Sequence, residues 1–220
     1  MGVVSDFLSG IHRYFPTMMT TTLIVVGILL AKINWILVGL GSLITALIVL
    51  VLQWPFSGSR MGTSAIRDWD LNSAAILEVC GLLPAATGGT YTRVPSLWFA
   101  LMSFYMAYIL RNAISVYKTK PATAAAAASS SAQHRMGVGI ISILTTVILF
   151  LVLAVARMTT SCEHWGGAIL GIIIGGGIGV GWWYALAAAG TDYYPDIHSV
   201  MIGLQPGPVH GSAVACARTN

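Results

Sequence analysis

The sequence predicts an all-α fold, a polytopic integral membrane bundle of about five transmembrane helices, and three observations carry that reading. Charged residues are 8% of the 220-residue chain against 56% hydrophobic, and mean hydropathy is +0.81, far from an average soluble domain. Apolar segments long enough to cross a bilayer recur along the chain, each with a charge-free central run. A hydrocarbon core about 30 Å thick needs roughly 20 such residues at 1.5 Å each. A charge at mid-bilayer costs about 2.5–3.5 kcal/mol, so its exclusion from these runs is meaningful. Runs this continuously apolar are helices rather than the alternating strands of a barrel.

Taken in order, the predicted helices cover about 15–31, 33–54, 94–117, 136–156 and 165–190. The first stops at Lys32 and leaves, with Asn34, only a tight hairpin before the second. The third opens at Val94 and stays uncharged to Leu110, where Arg111 marks the approach to the far side. Residues 191–220 read as an irregular polar tail, rich in Gly and Pro and without an amphipathic repeat. Counting crossings places the N-terminal arm, the 55–93 loop and the 157–164 loop on one side, A. The Lys32 turn, the 117–135 linker and the tail fall on the other, B. Asp6, Asp68, Asp70, Glu78 and Glu163 offset the arginines of side A, so B is the basic face and the expected cytoplasmic one.

The polar segments add little chemistry of their own. The first fifteen residues lack the charged, apolar and small-residue order of a cleaved signal peptide. Gly2 is followed by Asp6 where a myristoylation motif has Ser or Thr. Cys80, Cys162 and Cys216 are an odd number without close spacing, which indicates neither a disulfide framework nor a zinc knuckle. The alanine and serine run 122–132 reads as a flexible or partly helical connector, and 71–89 as a surface helix and loop over side A.

In the fifth helix Gly167, Gly171, Gly175 and Gly179 recur every four residues and so share one face. A smooth glycine face lets a second backbone approach closely, and another helix of the same chain is its expected partner. The surrounding "GGGIGVG" run is not a nucleotide loop, because it lies inside an apolar span with no preceding strand and no following Lys-Ser/Thr. Trp182, Trp183 and Tyr184 follow near the side-B boundary, where amphipathic rings favour the headgroup layer.

Three short motifs fall in order on side A: Arg60 and Arg67 in "RMGTSAIR", Pro95 and Ser96 in "VPSLW", and Arg157 and His164 in "ARMTTSCEHWGGA". Together they resemble a degenerate type 2 phosphatidic acid phosphatase, a family of integral-membrane lipid phosphatases. The family pattern is K-x6-R-P, then P-S-G-H, then S-R-x5-H-x3-D. The resemblance implies basic residues that clamp a phosphate, a histidine that attacks phosphorus, and a second histidine that protonates the leaving group. Here Asp68 stands for the proline of the first motif, and Leu97 and Trp98 for Gly-His. Ala156 replaces serine, His164 lies one residue too far along, and Ala168 occupies the place of the orienting aspartate. Without the acid and the carboxylate, His164 lacks both a proton donor and an orienting partner. Read from their own chemistry, Arg60, Arg67, Arg93, Arg157 and His164 are residues for partner or headgroup contact, in a side-A cap whose carboxylates largely compensate them.

The tail segment "YYPDIHSVMIGLQPG" is similar to tails of uncharacterised membrane proteins of large icosahedral DNA viruses that carry an internal lipid bilayer. That resemblance implies a minor capsid protein in the internal membrane of a virion, anchoring the capsid shell to the bilayer with no catalytic task. The expected function is therefore a non-enzymatic membrane component of a larger assembly, and the alternative is a lipid-phosphate phosphatase or binding protein. Expected partners are the lipid bilayer and neighbouring proteins of a larger assembly, which the tail resemblance implies are capsid proteins; no cofactor, metal or nucleic acid is expected. A carrier is disfavoured, since the spans hold no midplane charge and the chain shows no repeated halves.

Overall fold

The computed structural model describes residues 2–57, 70–71, 91–92, 94–118, 130–159 and 163–190. Among the described residues five helices form: α1 (Gly2–Leu29), α2 (Ile33–Ser57), α3 (Leu97–Lys118), α4 (Ser130–Thr159) and α5 (Trp165–Ala189). Between α2 and α3, β1 (Asp70–Leu71) pairs antiparallel with β2 (Tyr91–Thr92), so the loop's two flanks meet. Four helices carry stretches long and apolar enough to cross a membrane: Ile33–Trp54, Leu97–Ser115, Gly139–Thr159 and Trp165–Ala189. The apolar part of α1 among the described residues, Arg13–Leu29, is shorter than these.

That turn is a Schellman arrangement, with Lys32 N–H donating to Gly27 O at 2.8 Å and Ala31 N–H to Ile28 O at 3.1 Å. Ala31 has φ 51°, the left-handed conformation that usually selects glycine at this position. The hairpin then closes tightly, since a Cβ on Gly27 would lie 2.7 Å from Ile36 Cγ1 and one on Gly39 would lie 2.5 Å from Ile24 Cγ1.

Contacts fix the helix directions. Thr20 of α1 meets Ser42 of α2 and Tyr105 of α3, Gln53 of α2 reaches Pro95, and Trp182 of α5 reaches Leu37 of α2. Arg157 of α4 lies over Trp98, whereas Gly139 lies beside Ala113 and Tyr117. Helices α1, α3 and α5 therefore run one way and α2 and α4 the other. One end of the bundle, end A, holds Gln53, Pro95, Arg157 and His164, and the opposite end, B, holds the α1–α2 turn and the close of α5.

Helix α3 is the centre, with 67% of its span buried against 6% for α4, although its mean hydropathy is the lowest of the four at 1.3 and that of α4 the highest at 2.8. Polar atoms concentrate where protein rather than lipid surrounds them, and the most apolar helix faces outward. Phe104, Tyr105, Tyr108, Val38, Trp183 and Leu186 pack one cluster around α3. Trp98, Phe99, Leu101, Met102 and Ala168 pack another towards end A. Large apolar side chains such as Val51, Leu151, Val155 and Ile173 lie exposed on the outside. The rings of Trp54 and Trp165 are exposed at end A and Tyr184 at end B, and a rise of 1.5 Å per residue separates Trp165 from Tyr184 by about 28 Å. That spacing matches the hydrocarbon thickness, with aromatic rings at both boundaries. The chain is a multi-helix membrane protein.

Candidate functional site

The polar groups of end A gather where α4 ends and α5 begins. Arg157 occupies the last turn of α4, and Glu163 lies just before the first turn of α5. Each charge is thus near the helix end whose dipole favours it, cation at a C-terminus and anion at an N-terminus. Arg157 Nη2 and Nε donate to Glu163 Oε1 at 3.1 and 3.3 Å, and the two side chains are only 1% and 0% exposed. The guanidinium also lies 5.6 Å from the centre of the Trp98 ring, which stands edge-on to Phe99. A pair withdrawn this far from solvent is held by mutual compensation, because either charge left alone there would be strongly unfavourable.

His164 is the N-cap of α5, its Nδ1 accepting the Gly166 N–H at 3.1 Å while its carbonyl accepts from Ala168 N at 2.9 Å. The role is one that serine, threonine or aspartate more often fills. Ser96 caps α3 in a parallel way, its Oγ accepting Phe99 N–H at 3.2 Å, and its own N–H donates to Gly167 O at 2.9 Å. Gln53 Nε2 donates at 2.6 Å to Pro95 O, the carbonyl that follows the cis Val94–Pro95 peptide. Three chain segments distant in sequence thereby converge on one end of the bundle. Trp98 and Ala168 fill the space between them as buried apolar groups.

Of the residues singled out in the sequence, Arg157 and His164 are brought together here, while Arg60, Arg67 and Arg93 lie outside the described residues. Cys80, Cys162, Cys216, residues 119–129 of the 117–135 linker, residues 72–89 of the expected surface helix and loop, and the 191–220 tail also lie outside them. The repeated glycines lie against α3. Gly167 supplies the carbonyl that Ser96 uses, and a Cβ on Gly171 would sit 2.6 Å from Ser96 O. One on Gly175 would overlap the Ala100 carbonyl, and one on Gly179 the Phe104 carbonyl. The two helices run parallel with their backbones nearly touching, and Ser103 Oγ bridges them to Gly171 O at 3.3 Å.

Two polar features were not singled out from sequence. Tyr105 Oη lies 2.7 Å from Thr20 Oγ1, which lies 3.0 Å from Ser42 Oγ, so hydroxyls of α1, α2 and α3 meet inside the bundle. At end B, Arg111 stacks on Trp183 and Tyr184. The available signal was polarity inside apolar spans, since Thr20, Ser42 and Arg111 each need a partner once water is excluded. Among the described residues no group of His, Cys, Asp and Glu side chains is arranged to hold a metal ion. Comparison with protein-family models, with curated proteins and with solved structures finds no match.

Proposed function

We propose that this chain is a non-enzymatic membrane anchor of a larger assembly, holding neighbouring proteins at the bilayer through its end-A loops and its end-B tail. The observation that supports this reading best is the closure of Arg157. A phosphate-clamping arginine needs its donors free and facing an aqueous cleft, whereas Arg157 is 1% exposed, bound to Glu163 and covered by Trp98. Trp98 and Ala168 occupy the positions from which a lipid phosphatase would supply its acid and its orienting carboxylate. In this reading the assembly is a virion with an internal membrane and the neighbours are capsid proteins, as the tail resemblance implies. Cross-linking in the native membrane tests the anchor role: stable adducts through the end-A loops or the tail are expected, and a chain with no stable protein neighbour would refute it.

A lipid-phosphate enzyme or binding protein is the second reading, favoured by one observation. Pro95, Ser96, Arg157 and His164 meet at one end of the bundle, as phosphoryl chemistry at a membrane surface would require. Under the anchor reading, purified protein releases no more phosphate from phosphatidic acid or diacylglycerol pyrophosphate than its His164→Ala variant. Turnover abolished by that substitution would establish the second reading instead.

A further inference from the structure

Arg111 lies within the α3 span, and its surroundings at end B differ from those of Arg157 at end A. Its guanidinium carbon lies 4.4 Å from the Trp183 ring centre and 4.8 Å from that of Tyr184. Nε and Nη2 both donate to Tyr184 Oη, at 3.2 and 2.8 Å. A guanidinium has five N–H donors, and those not directed at Tyr184 meet no acceptor among the described residues. Because Oη accepts from Arg111, its phenolic proton is directed to a third group. Among the described residues no carboxylate pairs with Arg111, and Glu163 sits at the opposite end of the bundle.

The position in the bilayer indicates what the third group is. Counted from Trp165 at the end-A boundary, the helical rise puts Trp183 and Tyr184 about 27–28 Å away, at the far edge of the hydrocarbon. Tyr184 is half exposed. Gly181 and Gly177 precede it by three and seven residues and so lie on the same face of α5. Both are exposed, and a Cβ on either would meet nothing within 4 Å. A side-chain-free track therefore runs from the Arg111–Tyr184 pair towards the membrane interior. A headgroup anion at the pair and an acyl chain along the track would be occupied by one molecule.

We propose that Arg111 and Tyr184 form a binding site for the phosphate of an anionic phospholipid in the end-B leaflet, with Gly177 and Gly181 receiving one of its acyl chains. The free guanidinium N–H groups and the Tyr184 hydroxyl donate to phosphate oxygens, and the two rings hold the guanidinium plane in position beforehand. A guanidinium with no carboxylate partner among the described residues favours an anionic headgroup over a zwitterionic one, whose own cation would face Arg111. The proposal rests on the membrane setting of the bundle and not on the anchor role.

The test uses the full chain in nanodiscs of equimolar phosphatidylcholine and phosphatidylglycerol, followed by native mass spectrometry of the lipids that remain bound. Wild type is expected to retain phosphatidylglycerol in preference to phosphatidylcholine. Arg111→Gln and Tyr184→Phe should each lower that retention about tenfold, the scale of one charge-assisted hydrogen bond. Gly181→Leu, which fills the track and leaves the Arg111 and Tyr184 donors in the chain, should lower it as well. Lys118→Gln removes a charge from the same helix and should leave the preference in place. Tyr184→Phe deletes only a hydroxyl, so the result stands even where Arg111→Gln impairs folding. Equal retention of both lipids by wild type, or undiminished phosphatidylglycerol in Tyr184→Phe and Gly181→Leu, would overturn the proposal. Displacement of the bound lipid by inorganic phosphate would assign the site to free phosphate and overturn it too.

Discussion

Ala31 and Gly175 show how single residues set the geometry of this bundle, in opposite directions. Ala31 terminates α1 with φ 51°, a conformation in which a Cβ crowds the backbone. Ala31→Gly is expected to raise stability by up to about 1 kcal/mol, less whatever the added freedom of the unfolded chain removes. Thermal unfolding in detergent would register this, and a marked loss would show that the turn does not hold that conformation. At Gly175 the missing Cβ is what admits the Ala100 carbonyl, whereas neighbouring Gly176 faces open space. Gly176→Ala should be neutral or stabilising by up to about 1 kcal/mol through helix propensity alone. Gly175→Ala should destabilise despite the same propensity gain, because the obstruction is backbone and cannot swing aside. Equal effects of the two substitutions would mean that α3 and α5 are not in backbone contact.

Arg157 and Glu163 act at the level of elements, since they join the C-terminal end of α4 to the N-terminal end of α5. Helix α4 has only 6% of its span fully buried, so this pair and the contact with Trp98 join the packing of Phe150, Leu153, Ala154 and Met158 in holding its end-A half against the bundle. Removing one partner leaves the other buried without its counter-charge. Glu163→Gln and Arg157→Met are each expected to cost about 3–5 kcal/mol. The double substitution should cost less than the sum, because it removes the uncompensated charge together with the attraction. A double-mutant cycle on detergent-solubilised protein measures the coupling, and additive losses would mean that the pair is solvated. The same logic separates the two arginines on which function was argued. Arg157 is occupied by the protein, and Arg111 presents donors outward from between two rings.

The whole molecule places its least apolar helix inside and its most apolar helix outside. In water the ordering would expose the surface that most needs cover; in lipid it sets the polar side chains of α3 among protein neighbours. Helix directions read from the contacts alternate, so the two ends of the chain are expected on opposite faces of the membrane. Cysteines introduced at Ser59 and Ser212, both outside the described residues, should label from opposite sides of sealed vesicles. Labelling from one side would mean that the stretch between them crosses the membrane an even number of times, so that one of α3, α4 and α5 does not span it.

The sequence by itself determined the solvent, the helical class and the sites of the five helices, because a helix in lipid satisfies its backbone from its own residues. Even the glycine face of α5 was legible, since a four-residue repeat needs no partner to be seen. The sequence did not determine which helix is central. Buried and lipid-facing surfaces are both apolar here, so hydrophobic periodicity carries little signal about which face packs inward. Nor did it determine the fate of the side-A charges. Arg157, whose spacing to His164 resembles a phosphate clamp, is closed off by Glu163 and Trp98, and His164 caps a helix. Those outcomes depend on segments far apart in sequence meeting at end A, and on Trp98 of α3 reaching the junction of α4 and α5. Tertiary packing alone decides such meetings, because close approach between helices is governed by the shape and hydrogen bonding of both partners, while the pattern along one helix describes only half of the contact.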